Sequence, residues 1–222
     1  MAGSLAQRHY QRAVAALAAA AAPGESVPAH ASAYELMLAQ LAEDRRRLKA
    51  LQSVERKIEA KRQMLPQYEA WVQGVLAGGS GRQDDVLMTV MVWRIDTGDY
   101  PGALDIAEYA LRHGLTLPDQ YQRSTATVVV EEIAERALAA LTAGEAFDPQ
   151  ILERAERLTA DCDMPDEARA KLHKALGLLY QSTQPAEALR NFRRALALHE
   201  RVGVKKEIER LERELKNSAR TT

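Results

Sequence analysis

The 222-residue sequence holds a single cysteine, two phenylalanines and two tryptophans, and aromatic residues make up only 5% of it. Cys162 cannot pair within the chain, which excludes a disulfide scaffold, and a lone cysteine suits a reducing compartment, so a cytoplasmic location is expected. No run approaches the ~20 consecutive apolar residues that a membrane span requires. Residues 13–22, followed by Pro23, imitate the core of a signal peptide, but the stretch is almost all alanine, which is too weakly apolar to drive insertion. The five histidines, His9, His30, His113, His173 and His199, show no paired ligand spacing, and Cys162 has no histidine within a helical turn, so no metal site is expected. There is no Gly-x-Ser-x-Gly elbow. The one glycine-rich stretch, Gly78-Gly79-Ser80-Gly81-Arg82, lacks the Gly-Lys-Ser/Thr ending and follows no strand, so it cannot cradle nucleotide phosphates in the usual way. No cofactor is expected.

What is present is helix-forming and unevenly charged. Ala, Leu, Glu, Arg and Gln are abundant, and period-2 alternation is absent outside residues 125–130, where β-branched residues cluster. Glu131, Glu132, Ile133, Leu138 and Leu141 continue that run at helical spacing, and a lone strand would have no partner, so it reads as the start of a helix. The net charge of -1 conceals a segregation: residues 1–83 carry 11 basic and 7 acidic side chains, residues 84–167 carry 6 and 18, and residues 168–222 carry 13 and 6. Basic ends around an acidic middle attract a polyanion at the ends, or pair end to middle between copies.

The expected class is all-α, with long N-terminal helices followed by an array of helical hairpins. A first helix is expected over residues 4–22, with Ser4 and Gln7 at capping-box spacing. A second runs over 32–65, ending before Pro66; Met37, Leu41, Leu48, Leu51, Ile58 and Leu65 form its apolar seam, interrupted by Asp44, Glu55 and Arg62. Glycine and serine mark 78–83 as a linker between an N-terminal region, 1–77, expected to bind DNA or to oligomerise, and a hairpin domain, 84–222, expected to oligomerise and to meet a partner. Its hairpins are 84–96 with 101–113, 120–141 with 149–159, and 165–180 with 185–202, closed by a helix over 204–216. Leu176, Gly177 and Tyr180, then Ala188, Phe192 and Ala195, follow tetratricopeptide-like spacing, and Ala103, Ala107 and Ala110 repeat the second-helix rhythm. A repeat-type stack and simple close helix packing both explain those small residues.

Candidate chemistry divides into weak acidic signals and stronger basic ones. Asp84 and Asp85 are adjacent, so in a helix their side chains diverge by about 100° and would not chelate one ion together; Asp84 suits a helix N-cap. Pro165, Asp166 and Glu167 with Lys171 look superficially like a restriction-type nuclease signature, but fall within two turns of one helix, where Pro followed by acids is an ordinary start. No catalytic residue is assigned. Arg45, Arg46, Arg47, Lys49, Arg56, Lys57, Lys61 and Arg62 crowd the second helix, with Arg45, Lys49 and Arg56 near one face, and are the first candidate DNA contacts. Arg190, Arg193, Arg194, Arg201, Lys205 and Lys206 are the second. Beyond them a ladder of alternating charge, from 206 to 213, fits a solvated helix equally well.

Several strings taken together carry a family resemblance. Gly81-Arg82-Gln83-Asp84-Asp85-Val86-Leu87-Met88-Thr89-Val90-Met91 leads into Trp93-Arg94-Ile95-Asp96-Thr97-Gly98-Asp99, Gly102-Ala103-Leu104 and Tyr109-Ala110-Leu111. Asp163-Met164-Pro165-Asp166-Glu167, Arg169-Ala170-Lys171-Leu172-His173-Lys174 and Gly203-Val204-Lys205-Lys206-Glu207-Ile208-Glu209-Arg210-Leu211 follow, with Ala6-Gln7-Arg8-His9 near the start. Over nearly the whole length these strings resemble the peduovirus-type small terminase subunits of contractile-tailed temperate phages. The resemblance implies recognition of the cohesive-end packaging site on double-stranded viral DNA, recruitment of a large terminase subunit that supplies the ATPase, assembly into a homo-oligomeric ring, and action in the bacterial host cytoplasm. Such subunits are often called the terminase endonuclease subunit, and the resemblance transfers no catalytic residue. Relatives can continue into a Lys/Arg-rich tail, whose DNA affinity is not expected of a sequence ending at Thr222. Two other readings stay open on the residues alone. One is a tetratricopeptide-like protein-interaction module with no nucleic-acid role; the other is a metal-dependent endonuclease.

Overall fold

Residues 86–95 are helical and, apart from half-buried Arg94, buried all round, which makes them the axis around which the first unit packs. The computed structural model describes residues 5–20, 28–118 and 122–221. Among the described residues there are eleven α-helices, one 3₁₀ turn and no strand, so the chain is all-α as expected. None of these helices is long and apolar enough to cross a membrane. The chain divides into two compact units, residues 1–125 and 126–222.

In the first unit α1 (Leu5–Ala20), α2 (Pro28–Ala50), α3 (Val54–Met64), a 3₁₀ turn (Leu65–Gln67), α4 (Glu69–Gly78), α5 (Asp85–Thr97) and α6 (Tyr100–His113) follow in order. Helix α1 lies on α4 at Gly74, where a Cβ would stand 2.5 Å from both the Ala15 methyl and the Arg12 carbonyl oxygen, so only glycine permits this approach. Ser4, with its expected capping role, lies outside the described residues, as do residues 21–27. Pro28 opens α2 as its first residue, where a missing N–H costs nothing.

The single helix expected over 32–65 is two helices. The chain leaves α2 after Ala50, and Ser53, in extended conformation, accepts the Arg56 amide at 3.3 Å to cap α3. No proline or glycine marks the break; a serine side chain competing for a backbone donor makes it. The seam on α2 is buried within the unit: Met37, Leu41 and Leu48 are all in the core. Asp44, which interrupts that seam, is 3% exposed and accepts the Tyr68 hydroxyl at 2.8 Å, with Arg47 at 3.2 Å.

The glycine-rich segment lies inside the first unit rather than between units. Gly79 and Gly81 adopt positive φ. The Gly81 amide donates to the Tyr109 hydroxyl at 2.9 Å, and Gln83 exchanges hydrogen bonds with the Thr116 backbone at 2.8 and 3.0 Å. Its composition signals turns, and turns that are tied down do not separate domains.

The second unit comprises α7 (Thr125–Thr142), α8 (Pro149–Thr159), α9 (Asp166–Tyr180), α10 (Pro185–Leu198) and α11 (Lys205–Thr221). The β-branched run at 125–130 is helical, as its continuation implied. A Cβ on Gly177 of α9 would lie 2.5 Å from the fully buried Phe192 ring of α10, so those two helices meet at van der Waals range. Val204, just before α11, and Ile208 and Leu211 of α11 complete that core with Ala188, Leu189 and Phe192.

Candidate nucleic-acid interface

The corner between α2 and α3 presents a concavity of about 670 Å³ lined by Ala42, Arg45, Arg46, Leu48, Lys49, Lys57, Lys61 and Trp93. Five of these eight carry positive charge and none is acidic. The C-terminal two turns of α2 deliver three of the five and α3 two, so the break at residues 51–53 brings them together. Trp93, buried on α5, supplies an apolar wall and meets Tyr68 edge to face.

These cations differ in freedom. Arg45 is fixed: its Nη2 donates to Thr89 Oγ1 at 2.6 Å, and its Nε is buried without a hydrogen-bond partner. Lys61 is held at 2.5 Å from Asp96, the two side chains 17% and 21% exposed, which ties α3 to α5. Arg46 reaches Glu43 at 2.5 Å, but that pair is exposed, and such pairs contribute only about 0–1 kcal/mol. Lys49 and Lys57 have no counter-ion among the described residues. Competing anions therefore meet two free ammonium groups, one easily released guanidinium and one rigid guanidinium.

Three of the eight expected contacts lie elsewhere. Arg47 pairs with Asp44, and exposed Arg56 stands on α3 outside the concavity lining. Arg62 donates to the Thr97 carbonyl oxygen at 3.3 Å, with Glu59 at 3.7 Å, and lines a second concavity of about 750 Å³ with His9, Arg12 and Arg94. Arg94 is answered there by Glu69 at 2.5 Å and Asp99 at 3.5 Å. His9, Arg12 and Arg94 were not singled out in the sequence, since α1 reaches this place only by docking on α4, and Gly74 is the sole local trace of that docking.

The C-terminal basic cluster lies in the second unit, on α10, the turn after it and the start of α11. Arg190 pairs with Glu187, Arg193 with Glu212 at 2.7 Å, and Lys205 with Glu200 at 3.8 Å. Arg194, Arg201 and Lys206 are exposed with no counter-ion among the described residues. On α11 Arg210, within the ladder, reaches Glu214 just beyond it at 3.7 Å.

The carboxylates with nuclease-like spacing serve local structure. Asp84 caps α5 by accepting the Leu87 amide at 2.8 Å and also accepts Trp71 Nε1 at 2.8 Å; burial pushes its carboxyl above the usual carboxylate range. Asp166 and Glu167 occupy the first turn of α9, while Lys171 pairs with Glu135 at 2.6 Å. Among the described residues no three His, Cys, Asp or Glu side chains gather as a metal-binding group.

Comparison with known proteins agrees with the resemblance seen in the strings. Residues 38–167, which include the α2–α3 corner and α5, match the phage small terminase subunit family. The terminase, endonuclease subunit of Escherichia phage P2 is 52% identical over 215 residues, covering 96% of this chain and 86% of that protein. The probable terminase, endonuclease subunit of Haemophilus phage HP1 (strain HP1c1) is 27% identical over 224 residues, covering 91% and 80%. No solved structure matches. With more than half of its length matched by the family and nearly all of it by a relative of 52% identity, this chain belongs to the phage small terminase subunits, the proteins of phage DNA packaging.

Proposed function

We propose that the chain recognises the packaging site of double-stranded viral DNA through the α2–α3 concavity and, as a homo-oligomeric ring in the host cytoplasm, recruits and regulates the large terminase subunit. The observation that supports this reading is the concavity with five cationic and no acidic lining residues, on a chain whose net charge is only -1. Phosphate binding releases condensed counterions in proportion to the cations engaged, so such a surface favours DNA even on a nearly neutral protein. The C-terminal cluster is the weaker DNA candidate because three of its six cations already face glutamates. ATP hydrolysis is left to the large subunit.

A gel-shift titration of the purified chain tests the reading, with cohesive-end duplex and random duplex at two salt concentrations. Tighter binding of the end-site duplex, weakening as salt rises, is expected; no binding to either duplex would overturn it. Light scattering that reports a monomer at micromolar concentration would contradict the ring.

The names of the two relatives favour a second reading, an endonuclease subunit. Magnesium-dependent cleavage of supercoiled DNA by this chain alone would establish it.

A further inference from the structure

The outer face of α3 does not suit phosphate, although α3 stands between the cationic concavity and a mixed one, where Arg12 and Arg62 join an Arg94 answered by Glu69 and Asp99. At 3.6 residues per turn Glu55, Glu59, Gln63 and Arg56 fall on one arc of about 100°, and all four are exposed. Arg62, in the wall of the second concavity, borders that arc beside Glu55, and Lys57, in the wall of the first, lies about 100° beyond its other edge at Arg56. Two carboxylates, Glu55 at one edge of the arc and Glu59 near its middle, would repel a phosphate backbone laid along it. The cations on either side would attract one.

Resting on the DNA-binding reading above, we infer that α3 lies in the major groove of duplex DNA and that Glu55, Arg56, Glu59 and Gln63 read base edges there, while the phosphates of the two strands meet the concavities on either side. An α-helix with its side chains is about 10–12 Å across, and the major groove is about 12 Å wide. Carboxylates accept from the cytosine amino group, glutamine pairs with adenine and arginine with guanine, so the face offers two readers for cytosine and one each for adenine and guanine. The present partners of these side chains are easily exchanged. Gln63 Nε2 donates to Glu59 Oε1 at 3.0 Å on the exposed face, Arg62 approaches Glu59 at 3.7 Å, and the Glu55 and Arg56 side chains have no partner among the described residues. The short α3, capped at Ser53 and pinned to α5 by Lys61 and Asp96, holds that face outward.

Selection from a pool of randomised duplexes, run in parallel with wild type and with the Glu55→Gln/Glu59→Gln double variant, tests this. Wild type should enrich one motif. The variant should enrich an altered motif, with the change at positions where wild type prefers cytosine, and should lose at least about fivefold of its discrimination between that motif and random duplex. Its slope of log affinity against log salt should match wild type, because no phosphate contact is removed. An unchanged motif would overturn the inference, as would a wild type that binds random duplex in a salt-dependent manner yet enriches nothing; the latter is also the outcome if this face docks on a protein. Both of those results leave DNA binding itself standing. Only failure of wild type to bind any duplex overturns the two together.

Discussion

The Trp71 indole Nε1 donates to Oδ2 of Asp84 at 2.8 Å while Oδ1 of the same carboxylate accepts the Leu87 amide, also at 2.8 Å. One buried side chain thereby fastens α4 to the first turn of α5, beneath the Trp71 ring on which Tyr34 of α2 stacks at a centroid distance of 5.8 Å. The helices that shape the basic corner are thus aligned from the interior, by groups remote from its cations.

Asp84→Ala removes both hydrogen bonds at once. Loss of the cap costs about 1 kcal/mol, and a buried indole N–H left without an acceptor about 1–3 kcal/mol. Urea unfolding should therefore show a loss of about 2–4 kcal/mol, with no new nuclease-like phenotype to explain. A loss below about 0.5 kcal/mol would mean that the carboxylate is not structural.

Gly177→Ala should also destabilise, by about 1–3 kcal/mol, since the added methyl meets the fully buried Phe192 ring. Thermal melting checks this. A neutral or stabilising outcome, as expected of glycine to alanine in an unobstructed helix, would show that α9 and α10 are not in such close contact.

Alkaline stability follows from three tyrosines. Burial, then the nearby Asp84 charge, pushes the Tyr34 phenol up to about 12; burial, then its hydrogen bond to Glu153, pushes Tyr180 up to about 12. Tyr68 is raised by burial and by its bond to Asp44. The folded state favours the neutral phenols, so their contribution is fully present below pH 10 and is lost as pH rises through the folded values. Denaturant midpoints should be flat with respect to these groups below pH 10 and fall between pH 10 and about 12, and tyrosinate absorbance should rise late in the folded protein. Titration of all seven tyrosines at the ordinary value would contradict this.

Helices with strong boundary signals were readable from sequence: Asp84, Pro149, Pro165 and Pro185 each sit at the start of a helix, and Gly98 and Gly114 each end one. The break at residues 51–53 was not, because a single serine between two helix-forming runs carries no composition signal, and Ser53 has Arg56 rather than Glu or Gln three residues on. The same break decides the site. On one continuous helix Arg45, Lys49 and Arg56 fall near one face; on two helices Lys57 and Lys61 join Arg45 and Lys49, and Arg56 turns elsewhere. The glycines of 78–83 were visible but misleading, since what makes them a turn is Tyr109, His113 and Thr116, far along the chain.

The central claim, that the α2–α3 concavity engages DNA phosphates, is tested most directly by the salt dependence of duplex binding for wild type and for Lys49→Gln/Lys57→Gln. Both lysines are free of counter-ions among the described residues, so their replacement should leave the fold intact. Each phosphate contact contributes about 0.9 to the slope of log affinity against log salt, so the double variant should bind more weakly with a slope flatter by up to about 2 per bound subunit. An unchanged affinity and slope, with both lost instead on replacing Arg194, Arg201 and Lys206, would contradict the account and move the DNA site to the second unit.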